Sequence, residues 1–177
     1  SPCNKCNGNG KVQADENVTV KIPKGVDDGT RIRVSGKGEA GTKGGSNGDL
    51  YLFVSIDNHE IFKRAEENLY YELPISFTDA ALGTSVEVPS IDGGKSKIKI
   101  PSGTQHGKQF RLKGKGMPIL RRNLFGDLYI RINTQVPNSL SKRQKEILEE
   151  FGEIEKNKPD PIIKNFFEKA KKFWRSS

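Results

Sequence analysis

Lys99-Ile100-Pro101-x-Gly103-x-x-x-Gly107, then Arg111, Gly114-Lys115-Gly116 and Gly126-Asp127-Leu128-Tyr129, restates a block that stands 78 residues earlier. The earlier copy is Lys21-Ile22-Pro23-x-Gly25-x-x-x-Gly29, Arg33, Gly36-Lys37-Gly38 and Gly48-Asp49-Leu50-Tyr51. Between residues 21–51 and 99–129, 13 of 31 positions are identical with no insertion. Average amino-acid usage gives roughly one chance match in fifteen. Self-similarity at a fixed offset marks an internal duplication, hence two tandem copies of one structural unit.

Alternation fills in the rest of the frame. Val18, Val20 and Ile22 alternate with Thr19 and Lys21, the pattern of a half-buried strand that Pro23 ends by removing a ladder donor. After the Asp28-Gly29 turn, Ile32 and Val34 alternate with Arg31 and Arg33. Leu50, Leu52, Val54 and Ile56 make a third strand over 49–57, with Tyr51 and Phe53 on its other face, so both faces are expected to be covered. Between the copies, Leu69, Tyr71, Leu73 and Ile75 read as a strand, and Thr78 to Leu82 as one helical turn closed by Gly83. Val86 and Val88 read as a short strand and Asp92-Gly93 as a hairpin turn. Ile98, Ile100, Phe110, Leu112, Leu128, Ile130 and Ile132 repeat the scheme of the first copy. Subtracting the offset from Leu69 to Ile75 lands before residue 1, so the first unit is expected to lack its front strands in this chain.

Past Pro137, Ser141 and Gln144 form a capping box for a helix lined by Ile147, Leu148, Phe151 and Ile154. Asp160 as N-cap and Pro161 in the first turn open a second helix. Ile162, Ile163, Phe166, Phe167, Ala170, Phe173 and Trp174 form a stripe along it. So short a helix is marginal alone in water, so the stripe must bury against something. The fold class is therefore mainly β. Two tandem small β-sandwich-like domains from an internal duplication are followed by a short C-terminal helical segment.

Of 177 residues only 33% are hydrophobic and 19 are Gly, which suits a turn-rich molecule with small cores. The net charge of +8 favours acidic partners, although the charges are interleaved more than clustered. No 18-residue apolar run implies a transmembrane helix, and no signal peptide is visible. The chain starts at Ser1 without a Met and inside a motif, which reads as a fragment of a cytoplasmic protein. Two histidines, without a Ser/His/Asp grouping, point away from an enzyme. Gly36-Lys37-Gly38 and Gly114-Lys115-Gly116 lack the phosphate-loop frame and read as turns. Cys3 and Cys6, the only cysteines, stand in C-x-x-C-x-G-x-G. Four ligands are needed for a structural zinc, so this is half a site; surface thiols and a redox pair are the other readings.

The cysteine unit, the two K-I-P-x-G-x(3)-G blocks, the two G-D-L-Y blocks and the S-x-x-Q helix together resemble the C-terminal, client-binding part of a bacterial DnaJ-type (class A) J-domain co-chaperone. The resemblance covers nearly the whole chain. It implies residues 1–14 as the last unit of a zinc module, 15–66 as a client-binding β-domain I, 67–137 as β-domain II and 138–177 as a helical dimerisation segment. By the same resemblance, zinc is bound by the full-length protein, through Cys3 and Cys6 and a first cysteine repeat absent here. This stretch alone is expected to hold no zinc stably. Clients would be captured by strand addition and an apolar pocket at Val18, Val20, Ile22 and Phe62, weakly where the front strands are missing. Clients would then pass to an ATP-driven DnaK-type heat-shock chaperone, engaged mainly by a J domain not present here. Ile162, Ile163, Phe166, Phe167, Phe173 and Trp174 would pair two chains, with packing on the chain's own β-domain or on a membrane surface as the other readings. A basic β-module that binds nucleic acid is the alternative function. It rests on the +8 charge and on Tyr51, Phe53 and Tyr129.

Overall fold

The computed structural model describes residues 12, 14–42, 45–120, 122–157 and 159–175. The chain divides into two compact units, Ser1–Gln135 and Val136–Ser177. The described residues of the first unit form eight strands in three sheets and one short helix.

The second copy holds the core. Strands β3 (Lys63–Ala65), β4 (Asn68–Ser76), β7 (Gln109–Leu112) and β8 (Leu128–Gln135) form one sheet in the order β3-β4-β8-β7, with β4 and β8 parallel. A parallel pair needs a long crossover. Here it contains α1 (Phe77–Leu82), the hairpin of β5 (Thr84–Pro89) and β6 (Lys95–Ile100), and then β7. Leu69, Tyr71 and Ile75 of β4 and Leu128, Ile130 and Ile132 of β8 point to one face of the sheet and are buried. Val88, Ile98 and Ile100 of the β5–β6 hairpin, with Ala80 of α1, join the same cluster. The period-two alternation read from the sequence is thus realised as a small sandwich. Helix α1 starts where Asp79 N–H donates to Ser76 Oγ at 3.0 Å and ends at Gly83, φ +84°. A Cβ at Gly83 would stand 2.8 Å from the Ser102 amide nitrogen, so only glycine fits there.

In the first copy, β1 (Arg31–Val34) and β2 (Leu50–Phe53) pair antiparallel. Arg33 faces Tyr51 as Arg111 faces Tyr129, so the 78-residue offset survives as strand register. It survives in the turns too. Gly36 N–H donates to Asp49 Oδ1 and Gly114 N–H to Asp127 Oδ1, both at 2.9 Å. Arg33 lies 3.6 Å from Asp49, and Arg111 lies 3.8 Å from Asp127. Gly25, Gly29 and Gly36 share positive φ with Gly103, Gly107 and Gly114. The shared letters therefore encode turns and strand ends.

Two expectations for the first copy are corrected. Val18 to Ile22 is not a strand: Val18 and Val20 are half-buried and Ile22 is exposed. Its repeat-mate β6 is a strand because β5 lies beside it. The positions 78 residues before β5 fall mostly in the cysteine segment, outside the described residues, so 17–22 has no described partner to complete a ladder. Tyr51 and Phe53 are also not covered, Phe53 being 73% exposed. Tyr129, the mate of Tyr51, is covered because it stacks on Tyr70 of β4 at 5.0 Å. No described strand does the same for β2.

The second unit consists of α2 (Lys142–Asn157) and α3 (Pro161–Arg175). The capping box forms both of its bonds: Ser141 N–H donates to Gln144 Oε1 at 2.9 Å and Gln144 N–H to Ser141 Oγ at 3.3 Å. Asp160 accepts from Ile162 N–H at 2.7 Å and caps α3.

Candidate functional site

Phe62 follows β2 in the connection to β3. His59 sets its direction, because His59 Nδ1 accepts from the N–H groups of Ile61 at 3.1 Å and Phe62 at 3.3 Å. Ile61 is left exposed, while Phe62 is turned inward and only 6% exposed. The Phe62 ring lies 5.1 Å from His59 and meets Tyr71 edge-on at 5.4 Å.

Above Phe62 lies a cleft of about 910 Å³ whose lining includes Phe62, Leu69, Ile56, Ile91 and Met117. Both copies contribute to it. Arg64 ties them together at its rim: Nη1 donates to Val26 O at 2.7 Å, Nη2 to Gly25 O at 3.3 Å, and the guanidinium pairs with Asp27. The turn carrying Gly25 is in close contact, since a Cβ there would lie 2.1 Å from Pro118 O.

Of the client-binding candidates, only Phe62 lines this cleft; Val18, Val20 and Ile22 do not. Sequence reading missed Ile56, Ile91 and Met117 as lining residues. Ile56 was legible as a strand-end apolar residue. Ile91 sits in the β5–β6 turn and Met117 in a loop, where periodicity carries no signal. The aromatics proposed for nucleic acid are partly engaged within the chain. Tyr129 stacks on Tyr70, and the Arg31 guanidinium lies 5.0 Å from the Tyr51 ring. In the second unit, Ile162, Ile163, Phe166, Phe167, Phe173 and Trp174 lie on α3 and are all exposed. Cys3 and Cys6 lie outside the described residues. Among the described residues no group of three or more His, Cys, Asp or Glu could hold a metal ion.

The Tyr71 hydroxyl beneath Phe62 is buried without a hydrogen-bond partner. Burial pushes its pKa from 10.0 to about 12. A folded-state value above the unfolded one gives stability that is full below pH 10 and lost as pH rises toward 12. Tyr71→Phe is therefore expected to flatten the fall in stability over that window. It should be neutral or slightly stabilising at pH 7, because it removes an unsatisfied buried hydroxyl. Urea midpoints of both proteins at several pH values check this.

The chain belongs to the DnaJ C-terminal domain family: residues 4–137 match the family described as "DnaJ C terminal domain". Residues 143–176 match a second family, "Chaperone protein DnaJ C-terminal region". Among curated proteins the chain is similar to "Chaperone protein DnaJ" of Pelagibacter ubique, 64% identical over 99% of this chain. It is also similar to the proteins of the same name from Brucella anthropi, 52% identical over 98%, and Brucella canis, 51% over 98%. The chain spans about half the length of these relatives, 47% of the first and 46% of the other two. The resemblance read from the repeated blocks is thereby established. No helix among the described residues is long and apolar enough to cross a membrane.

Proposed function

We propose that this part of the protein is a non-catalytic co-chaperone module that binds unfolded, apolar polypeptide segments and limits their aggregation. The observation that carries this reading is the cleft above Phe62, with exposed apolar walls at Ile56 and Ile91. An apolar client side chain entering it leaves water at roughly 25 cal/mol per Å². Strand addition supplies the sequence-tolerant part of the affinity. The edge of β2 away from β1 has no partner among the described residues, whereas β8 pairs with β4 at the equivalent edge. Val18, Val20 and Ile22 extend the client surface on the first copy, and clients pass on to a DnaK-type chaperone in the cytoplasm, a reading supported by the likeness to proteins named "Chaperone protein DnaJ". Zinc in the parent protein would be held at Cys3 and Cys6 with two further thiolates.

The α3 stripe pairs two chains, because Ile162, Ile163, Phe166, Phe167 and Trp174 are exposed apolar side chains on one short helix. Two weak clefts on one dimer raise the effective concentration on a long client.

The test is suppression of aggregation of a chemically denatured client. Ile56→Asp and Ile91→Asp alter partly exposed walls and should each weaken suppression at least threefold; unchanged suppression would remove the cleft from the function. Phe62→Ala is a poor probe, because truncating a buried Phe costs about 3–5 kcal/mol of stability. Sedimentation should give twice the 19.7 kDa chain mass, falling to one on deletion of residues 160–177. A monomer in both cases would overturn the pairing.

A further inference from the structure

A second cleft, of about 780 Å³, lies on the first unit between the Pro23–Val26 turn and the loop residues 118–120 and 122–125. Lys21, Lys24, Arg31 and Arg122 line it, and no Asp or Glu does among the described residues. None of the four cations lies within ion-pair distance of a carboxylate among the described residues. Arg33, Arg64, Arg111 and Lys115 of the same unit, by comparison, each meet an Asp. Between the cations the lining is mostly apolar, with Thr30 and Asn123 as its neutral polar members, and Leu120 and Phe125 are 39% and 55% exposed. The loop that carries them has an internal scaffold: Pro118 bridges Phe125, and Ile119 N–H donates to Leu124 O at 2.9 Å. It is set against the first copy at Gly25. The site is thus built on two braced turns, one from each copy.

We propose that this cleft binds acidic peptide segments that carry an apolar side chain between their carboxylates. The four cations receive the carboxylates, and the apolar side chain seats against Leu120 and Phe125. Unopposed cations around an apolar wall favour such a peptide over a nucleic-acid single strand, which draws affinity from open stacking faces. Phe125 is the only aromatic residue in the lining among the described residues, and Tyr51 nearby is engaged by Arg31. The proposal is independent of the cleft above Phe62, with which this one shares only Val26. It gives the module a preference between clients, since apolar segments flanked by acids would gain a second point of attachment.

The test uses fluorescein-labelled decapeptides and anisotropy. The probe has three Glu on each side of a Leu-Leu-Val-Leu core. One control replaces the core by Ala and another replaces Glu by Lys. A twelve-nucleotide single strand is the third competitor. The acidic apolar peptide should bind at least tenfold more tightly than either peptide control and weaken as salt screens its carboxylates. Lys24→Glu with Arg122→Glu should weaken it at least tenfold, and Leu120→Ser at least threefold. Lys97→Glu, an exposed cation that lines neither cleft, should leave it unchanged. Circular dichroism and thermal melting establish that each variant is folded. Equal binding by Lys24→Glu/Arg122→Glu, equal binding of the Ala-core peptide, or tighter competition by the oligonucleotide would each overturn the proposal. In the Ile91→Asp background, where capture at the other cleft is impaired, adding Lys24→Glu/Arg122→Glu should still weaken the acidic peptide at least tenfold, which separates the two sites; no further loss would overturn the proposal.

Discussion

Leu128→Ala is expected to destabilise the β unit by about 3–4 kcal/mol, while Leu50→Ala, the same change 78 residues earlier, is expected to cost about 1 kcal/mol. The two leucines occupy one position of the repeat and open equivalent strands. Leu128 is fully buried, between Leu69 of β4 and Leu112 of β7. Leu50 is half-buried and pairs only with Val34. Truncating Leu128 leaves a cavity that the sandwich cannot close, because the β5–β6 hairpin and β4 fix its walls. Truncating Leu50 opens a gap that water already reaches. The four tyrosines all lie between residues 51 and 129 and the only tryptophan is Trp174, so tyrosine and tryptophan fluorescence report the two units separately. Urea unfolding followed by tyrosine emission gives both values. Equal losses would mean that the copies are packed alike, contrary to their burial. As stability is typically only 5–15 kcal/mol, the Leu128 change is large enough to populate unfolded chain near body temperature.

This asymmetry also explains how far the sequence could be read. Positions that encode turns were legible, because Gly25, Gly29 and Gly36 need positive φ and their mates need the same. The capping box at Ser141 and the Asp160-Pro161 start were legible because caps are local chemistry. What was not legible depends on neighbours. Val18 to Ile22 has the letters of a strand, but a strand exists only where a partner takes its hydrogen bonds. Tyr51 and Tyr129 carry the same letter, yet only Tyr129 has Tyr70 to lie against. For the candidate site, Phe62 could be named from the resemblance, but its burial could not. His59 turns it inward by accepting two backbone N–H groups, a contact that no periodicity announces. Ile91 and Leu120, which line the two clefts, sit in turns where apolar residues look incidental until both copies fold against each other.

Gly126→Ala is the second large effect, expected at about 3 kcal/mol or more, against about 0.5 kcal/mol or less for Gly48→Ala. Neither glycine has positive φ, so conformational freedom is not what distinguishes them. Space is. A Cβ on Gly126 would stand 2.0 Å from Glu67 O and 2.5 Å from Glu67 C, both backbone atoms. On Gly48 the nearest atom, Glu39 O, would be 3.8 Å away, an ordinary contact. The Glu67 carbonyl has no room to retreat, because it accepts from Met117 N–H at 2.8 Å. Nor can Gly126 move, since its N–H donates to Met117 O and its carbonyl accepts from Gly116 N–H, each at 2.9 Å. Asp127 beside it is held on Asn68 Oδ1 at 2.9 Å, where β4 begins. Alanine at 126 must therefore break the bonds that bring β8 alongside β4, and with them the parallel pair at the centre of the core. The measurement is again the urea midpoint by tyrosine emission, supported by hydrogen exchange at Leu69 and Leu128. A Gly126→Ala protein as stable as Gly48→Ala would show that Glu67 yields, and that the glycine of the second G-D-L-Y block is retained for something other than contact. The expected outcome instead gives one letter two physical roles: a spacer in the first copy, and in the second the clearance that lets two strands meet.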